Sequence, residues 1–379
     1  MKITVLGAGR VGHAIVRDLA GEFSVTAVDA SEAALARLAA LGNVTTVAAD
    51  LGDSTKVKAL VAGADLVVGA VPGFMGFATL AAVIDAGKDV VDISFFPEDP
   101  FRLDGEARRR GVRAIVDCGV APGCSNLFAG RLGASWDRLD RFVCLVGGLP
   151  VVRNWPWEYK APFSPIDVIE EYTRPARIVT GGVHVTVAPL SDVELVDVPG
   201  VGTLEAFNTD GLRTLLRTMQ VPFMVEKTMR YPGHAEKIRL LKDSGLLSEE
   251  TVVVGGASVR PRDVTAQALI AAWHLGDDEQ DVTAMIVTAE GVRSGRPVRW
   301  RADLVDRYDA VGKVTSMART TGYTCTAAVR LMAQGLWNEP GIAPPELLGR
   351  ELACHDFILA DLARHNVVFH QTEEAIPSR

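Results

Sequence analysis

The sequence predicts an α/β chain in two parts. An N-terminal doubly wound parallel sheet comes first, and an α+β domain with a large mixed or antiparallel sheet follows it. Three observations predict this. Short apolar runs alternate with helix-length amphipathic segments over the first third of the chain. The first of these runs leads straight into a turn with regularly spaced glycines, and then into a helical pattern. Beyond about residue 138 the runs lengthen, take on polar alternation and follow one another with few helices between them.

The apolar runs of the first part are 2–7, 24–29, 44–49, 65–71, 89–93 and 113–117. Between them, segments 31–41, 54–62, 76–87 and 102–110 have helical spacing. Strict alternation of this kind builds a parallel sheet with right-handed crossovers. Such sheets bind ligands at the carboxyl ends of their strands, so the residues just after each run are the ones to read.

After the first run stands Gly7-x-Gly9-x-x-Gly12, with Arg10 and Val11 inside the motif. Val11, Ala14, Ile15 and Leu19 then recur at helical spacing. One glycine allows the tight turn, one lets a pyrophosphate approach the backbone, and one lets helix and strand pack closely. The helix start adds free N–H groups and the positive end of its dipole. This is a Rossmann-type dinucleotide site. Asp29 ends the second run, about 20 residues further on, where a carboxylate accepts the ribose hydroxyls and repels a 2′-phosphate. No arginine follows until Arg37, so the preferred cofactor is NAD rather than NADP. Capping the next helix is the other role open to Asp29, but Ser31 can fill it. Asp50, after the third run, either meets the adenine or caps a loop. Ala70, Val71 and Pro72 leave room for a cofactor to cross the fourth strand end, and Gly119 gives bare backbone beside the expected nicotinamide.

The stretch VDCGVAPGCSN, 116–126, reads as the exit from the dinucleotide domain. Helices are expected at 165–172, 210–219 and 234–245, and a hairpin around Ser294-Gly295-Arg296. The long helix of 316–334 is expected to return to the first domain. The domain reading is 1–122 for the Rossmann domain, with 316–350 returning to it. Residues 123–315 form a substrate-binding and dimerisation domain, and 351–379 a C-terminal helix and tail.

A chain of 379 residues can bury two cores. A net charge of −8 and a pI near 5.5 make a nucleic-acid backbone an unsuitable partner. No stretch has the length of a membrane span, and the N-terminus lacks a signal-peptide layout. The five cysteines form no C-x-x-C pair, which points to free thiols in a reducing cytoplasm and to no metal site.

GAGRVG, DISFFPED, DCGVAPGCSN, GGLP, FSPIDVIEEYTRPARIV, LEAFNTDGLRTL, KTMRYPGH and MARTTGY occur in that order. Together they resemble the saccharopine dehydrogenase family, and most closely its lysine 6-dehydrogenase branch, over nearly the whole chain. The resemblance implies a homodimer of two-domain subunits and hydride transfer between NAD(P) and an amine-bearing carbon. In the lysine branch the terminal amine carbon of L-lysine is oxidised, giving 2-aminoadipate 6-semialdehyde and then piperideine-6-carboxylate. Two departures from the family's saccharopine reductases favour that branch. Ala121 replaces an acidic residue before Pro-Gly, and NTDGL at 208–212 replaces a more polar signature. The other readings are a reductive condensing enzyme of the saccharopine or carboxynorspermidine type, and a non-catalytic dinucleotide sensor.

Amine oxidation needs a group that takes a proton from the substrate ammonium, and a cation for its carboxylate. Asp92 and Asp117, at the ends of the fifth and sixth runs, and His234 are the candidate catalytic residues. Glu170, Glu171 and Asp210 are further carboxylates that could orient the amine. Arg230 and Arg319 are the candidate carboxylate clamps, unless each forms a surface salt bridge; Arg174 is a lesser one. Thr320, Thr321 and Tyr323 could hydrogen-bond the substrate or simply decorate their helix. His234 also begins a helix, where an exposed, uninvolved histidine is the commoner case. The aromatic segment 154–165 is either a lid or an interface loop.

Overall fold

The computed structural model describes residues 1–376. The first part runs β1 (Lys2–Leu6), α1 (Arg10–Leu19), β2 (Ser24–Asp29), α2 (Glu32–Ala39), β3 (Val44–Ala48) and α3 (Ser54–Val61). It continues with β4 (Leu66–Gly69), α4 (Gly73–Asp85), β5 (Asp89–Asp92), α5 (Asp104–Arg110), β6 (Arg113–Ile115) and α6 (Cys124–Ser135). The inner strands β1, β4, β5 and β6 are short apolar runs largely buried on both faces, as a sheet covered by helices requires, and the edge strand β3 is only half-buried. Ser31 Oγ accepts from Ala34 N at 3.2 Å and Asp53 Oδ1 from Thr55 N at 2.9 Å, so α2 and α3 are capped by their own sequence. The cap of α4 comes from far away. Gly73 N donates to Asp167 Oδ1 at 3.2 Å, and the helix begins three residues earlier than its apolar spacing suggests.

The second part holds β7 (Arg138–Pro150), α7 (Pro165–Thr173), β8 (Ala176–Thr180), β9 (Val183–Val187), β10 (Glu194–Val198) and β11 (Gly202–Asn208). After these come α8 (Leu215–Thr218), β12 (Phe223–Arg230), α9 (His234–Asp243), β13 (Val252–Val254), β14 (Ala257–Val259) and α10 (Pro261–Ala272). The long hairpin β15 (Asp281–Arg293) and β16 (Arg296–Arg307) turns at Ser294 and Gly295, whose φ values are 51° and 71°. The chain then forms α11 (Ser316–Ala333), β17 (Gly341–Ala343), α12 (Pro345–Arg350), α13 (Leu352–Arg364) and β18 (His370–Ala375).

The parallel sheet has the order β17-β6-β5-β4-β1-β2-β3. The reversal at β1 and β4 opens a crevice at the strand ends, next to the glycine turn. The second sheet runs β10-β11-β12-β7-β15-β16-β18, with β8 and β9 attached beside β12. It is mixed, because β12 lies parallel to β7 and the other neighbours are antiparallel. Helix α11 returns to the first part. A Cβ on Gly322 would stand 3.3 Å from Ile15, and Arg330 bonds Asp18 and Asp361 at 2.9 and 3.1 Å.

Other segments differ from their sequence pattern as well, the unexpected helix α10 and the small hairpin β13–β14 among them. The helix expected over 210–219 shrinks to Leu215–Thr218, because Arg213 takes a left-handed φ of 50° and breaks it. The expected tail contains β18, which pairs with β16 from Val298 to Asp303. β17 is three residues long, too short for a periodicity, and adds a seventh strand to the parallel sheet. All five cysteines are free and buried. Among the described residues no helix is long and apolar enough to cross a membrane.

Candidate active site

A cleft of about 620 Å³ lies where the carboxyl ends of the parallel strands face the second sheet. Its first half is lined by Gly7, Gly9, Arg10, Val11, Gly12, Asp29, Asp50, Ala70, Val71, Pro72 and Gly119. A methyl on Gly7 would run into the Ala70 carbonyl, and one on Gly12 into the Gly7 carbonyl. One on Gly9 would meet nothing within 4 Å and would project into open space. Gly9 is the N-cap of α1, with no side-chain cap and no acidic residue in the first turn. Free N–H groups at a bare helix start suit a pyrophosphate, so these residues fit a dinucleotide. Asp29 also ties the turn together: Oδ2 accepts from Ala8 N at 2.6 Å and Oδ1 from Ser31 N at 2.7 Å. Arg10 bonds the Leu275 carbonyl in the second part of the chain.

The other half is lined by charged groups. Asp117, Asp210 and Arg230 are there, as are Glu170, Glu171 and Arg174, with the neutral Thr321 beside them. Most of these charges are already paired. Asp117 holds Arg213 at 2.7 Å and Asp210 holds Arg177 at 2.8 Å. Glu171 holds Arg230 at 2.9 Å, and Glu170 is held by Arg262. Arg230 donates further to the Tyr172 hydroxyl at 2.9 Å and to the Met229 carbonyl at 3.0 Å, so its donors are largely used.

Three groups are left short of a counter-charge. Arg174 Nη1 is buried without a hydrogen-bond partner, and its Nη2 comes only within 3.7 Å of Glu170. Its guanidinium lies 5.0 Å from the Phe95 ring centre, and burial lowers its affinity for the proton. Glu226 lines the cleft with neutral partners, the Thr209 hydroxyl at 2.6 Å and the Gly211 backbone. Burial pushes its carboxyl up to about 8. Asp167 lines the cleft while capping Gly73, and burial pushes it up to about 6. Sequence reasoning passed over Glu226 and Asp167. The signal for Glu226 was a glutamate inside the apolar strand FMVEKTMR; Asp167 looked like an ordinary first-turn acid of α7.

Five expected site residues do not line the cleft. Arg319 pairs with Asp306 at 3.3 Å and Asp309 at 3.4 Å, and donates to the His365 carbonyl. The Thr320 hydroxyl bonds back to the Ser316 carbonyl at 3.0 Å, and Tyr323 stacks on His365 at 4.4 Å between ring centres. The reason is helical geometry. Met317 and Thr321, one turn apart, share the face of α11 that meets the cleft, and residues 319, 320 and 323 point elsewhere. His234 is not exposed; it is sealed among aromatic rings with Nε2 3.0 Å from the Tyr172 hydroxyl. Burial lowers its affinity for a proton to about 3, so it is neutral and unsuited to a relay. Asp92 lies behind the strand ends against Gly69, where Ser94 N donates to it at 2.8 Å. Burial raises its carboxyl to about 8, so it is a neutral acid inside the protein.

Comparison with known proteins agrees with this architecture. The family model described as Saccharopine dehydrogenase NADP binding domain matches residues 3–115, and the Saccharopine dehydrogenase C-terminal domain matches 119–367. The saccharopine dehydrogenase [NADP(+), L-glutamate-forming] of Saccharomyces cerevisiae is 22% identical over 422 aligned residues, covering 90% of this chain and 93% of that one. Its counterpart from Pyricularia oryzae is 25% identical over 260 residues, 64% of this chain and 56% of its own length. The solved structure of the apo histidine-tagged saccharopine dehydrogenase (L-Glu forming) from Saccharomyces cerevisiae superposes with a TM-score of 0.78 at 19% identity, covering 99% of this chain and all of that one. The fold is therefore shared throughout, and the chain belongs to the saccharopine dehydrogenase family of nicotinamide-dependent oxidoreductases.

Proposed function

We propose that this protein oxidises L-lysine at the carbon bearing its terminal amine, with NAD as the preferred cofactor. One observation carries the substrate reading. The groups left short of a counter-charge in the second half of the cleft are one arginine, Arg174, and two carboxyls, Glu226 and Asp167. L-Lysine supplies the complement, one carboxylate and two ammonium groups. Saccharopine brings three carboxylates, and this half of the cleft has too few available cations to receive them. When bound, an oxidised nicotinamide supplies the hydride acceptor. The glycine turn and the α1 N-terminus would hold its pyrophosphate, and Asp29 its adenosine ribose. Arg174 takes the amino-acid carboxylate, with its stem fixed against Phe95. The carboxyls take the two amines, and the apolar lining from Val146, Phe163 and Met317 keeps water from the reacting carbon.

The relatives bear NADP in their names, and so does the family model of the first domain. That is the specific ground for a second reading with NADP. Asp29, with Ala30 and Ser31 after it and no basic residue adjacent, favours NAD. A homodimer forms part of this proposal, to be checked as the mass in solution by light scattering.

The deciding experiment follows absorbance of the reduced cofactor with L-lysine at mildly alkaline pH, with NAD and with NADP, and with saccharopine in parallel. A rise with lysine and NAD supports the reading. A rise only with saccharopine overturns the substrate, and a rise only with NADP overturns the cofactor preference. In Asp29→Ala the NAD affinity should fall and the discrimination against NADP should shrink; unchanged preference would remove Asp29 from its role.

A further inference from the structure

We propose that Glu226 is the proton acceptor for the reacting ammonium of the substrate, an assignment that rests on the amine-oxidising reading above. Glu226 sits in the interior of β12 and reaches the cleft although the residue is only 6% exposed. Its Oε2 accepts from Thr209 Oγ1 at 2.6 Å, and that hydroxyl lies 2.8 Å from Thr228 Oγ1. Gly211 closes over the carboxyl so tightly that a methyl there would collide with it.

A cation is missing from this arrangement. Among the described residues Glu226 has no salt bridge, whereas Asp117, Asp210, Glu170 and Glu171 each hold an arginine. Lys227, next in the chain, bonds Asp192 and Glu194 at 2.8 Å on the other side of the strand. A buried carboxyl held by one hydroxyl and a backbone amide, with no cation beside it, suits proton transfer better than structural pairing.

The charged and titratable groups facing Glu226 come from several elements. They are Glu171 on α7, Asp210 after β11 and Cys144 on β7; on β12 itself Arg230 is occupied by Glu171. Burial first, then repulsion from Glu171 and Asp210, outweighs the Thr209 hydroxyl and places the carboxyl near 8. In the free cleft at neutral pH the carboxyl therefore carries a proton. An arriving ammonium favours the ionised form, and that proton leaves to solvent. The bound pair then exchanges one proton. An N–H bond of the ammonium breaks, its electron pair stays on nitrogen, and an O–H bond forms on Glu226. The freed lone pair is what allows the adjacent carbon to release hydride.

The test measures kcat/KM for L-lysine with NAD against pH in the wild type, Glu226→Gln, Glu226→Asp and Thr209→Val. L-Lysine is also titrated calorimetrically into each protein, in two buffers of different ionisation heat, to count protons released. In the wild type the rate should rise with pH through about 8, and lysine binding below that pH should release a proton. In Glu226→Gln the rate should fall by about 10²-fold or more, the acid limb and the proton release should vanish, and NAD affinity should stay. Glu226→Asp should recover part of the rate. Thr209→Val, which removes the hydroxyl that favours the ionised carboxyl, should move the acid limb to higher pH. Glu226→Gln activity within about tenfold of wild type with its acid limb intact would overturn the assignment and leave the lysine reading standing, as would an unmoved limb in Thr209→Val. A wild type that binds NAD but neither reduces it nor releases protons with L-lysine would overturn both.

Discussion

Arg213 donates from Nη2 to Asp117 Oδ1 at 2.7 Å, and the two side chains are only 2% and 1% exposed. The pair joins the loop after β11 to the end of β6, so it fastens the second part of the molecule to the floor of the cofactor crevice. Asp117 stands at a φ of 53°, a conformation that Asn also accepts. Asp117→Asn therefore keeps the backbone and the shape but leaves the Arg213 charge buried alone. The loss should be about 3–5 kcal/mol, read as a lower urea midpoint. A second change, Arg213→Met, should restore a large part of it.

Gly9 and Gly12 separate cofactor binding from folding. A methyl on Gly9 enters open cleft space. Gly9→Ala should unfold within about 1 kcal/mol of wild type yet bind NAD more weakly, as tryptophan fluorescence titration would report. A methyl on Gly12 meets the Gly7 carbonyl oxygen. Gly12→Ala should lower the melting temperature even without cofactor. Equal stability of the two variants would contradict the turn described here.

Arg174 should govern recognition of the substrate carboxylate. A charge-assisted hydrogen bond contributes about 1.5–3 kcal/mol, so Arg174→Met should raise KM for L-lysine roughly ten- to a hundredfold. The decarboxylated diamine of the same length, which lacks the group, should be handled equally by both proteins. A parallel loss on the diamine would mean that Arg174 holds the fold and not the substrate.

Asp18 links α1 to the returning segment, bonding Arg330 at 2.9 Å and His365 Nε2 at 2.7 Å. Burial alone would raise its carboxyl, but hydrogen bonds from His365 and Arg330 prevail and hold it at about 2, below the ordinary 3.8. A depressed carboxyl contributes stability that is present above its unfolded value and lost as pH falls toward the folded one. Asp18→Asn should cost about 2 kcal/mol at neutral pH. The gap from wild type should close between about pH 4 and pH 2, as followed by acid-dependent urea unfolding.

Much of the cofactor half was legible in the order of the residues. Gly9 and Gly12 carry constraints that act within a few residues, through steric approach and helix-end N–H groups, and Gly7 and Asp29 stand at fixed strand ends of a regular βαβ unit although their partners, Ala70 and Ala8, are further along the chain. Such constraints show in spacing. Locality explains why the cap at Ser31 could be read and the cap of α4 could not: its acceptor, Asp167, is 94 residues away.

The substrate half was legible only as a set of candidates. The chain alone showed that Asp117, Asp210, Arg174, Arg230 and Arg319 were present, but charge is neutralised through space. Whether an arginine is available depends on which carboxylate folding brings to it. Folding gave Arg230 to Glu171, gave Arg319 to Asp306 and Asp309, and left Arg174 underpaired. Burial acted in the same way on the acids, closing Asp92 and His234 into the interior and leaving Glu226 at the cleft without a cation. Backbone geometry is a short-range property and could be read from residue order. Pairing and desolvation belong to the packed molecule, and they select the residues that face the substrate.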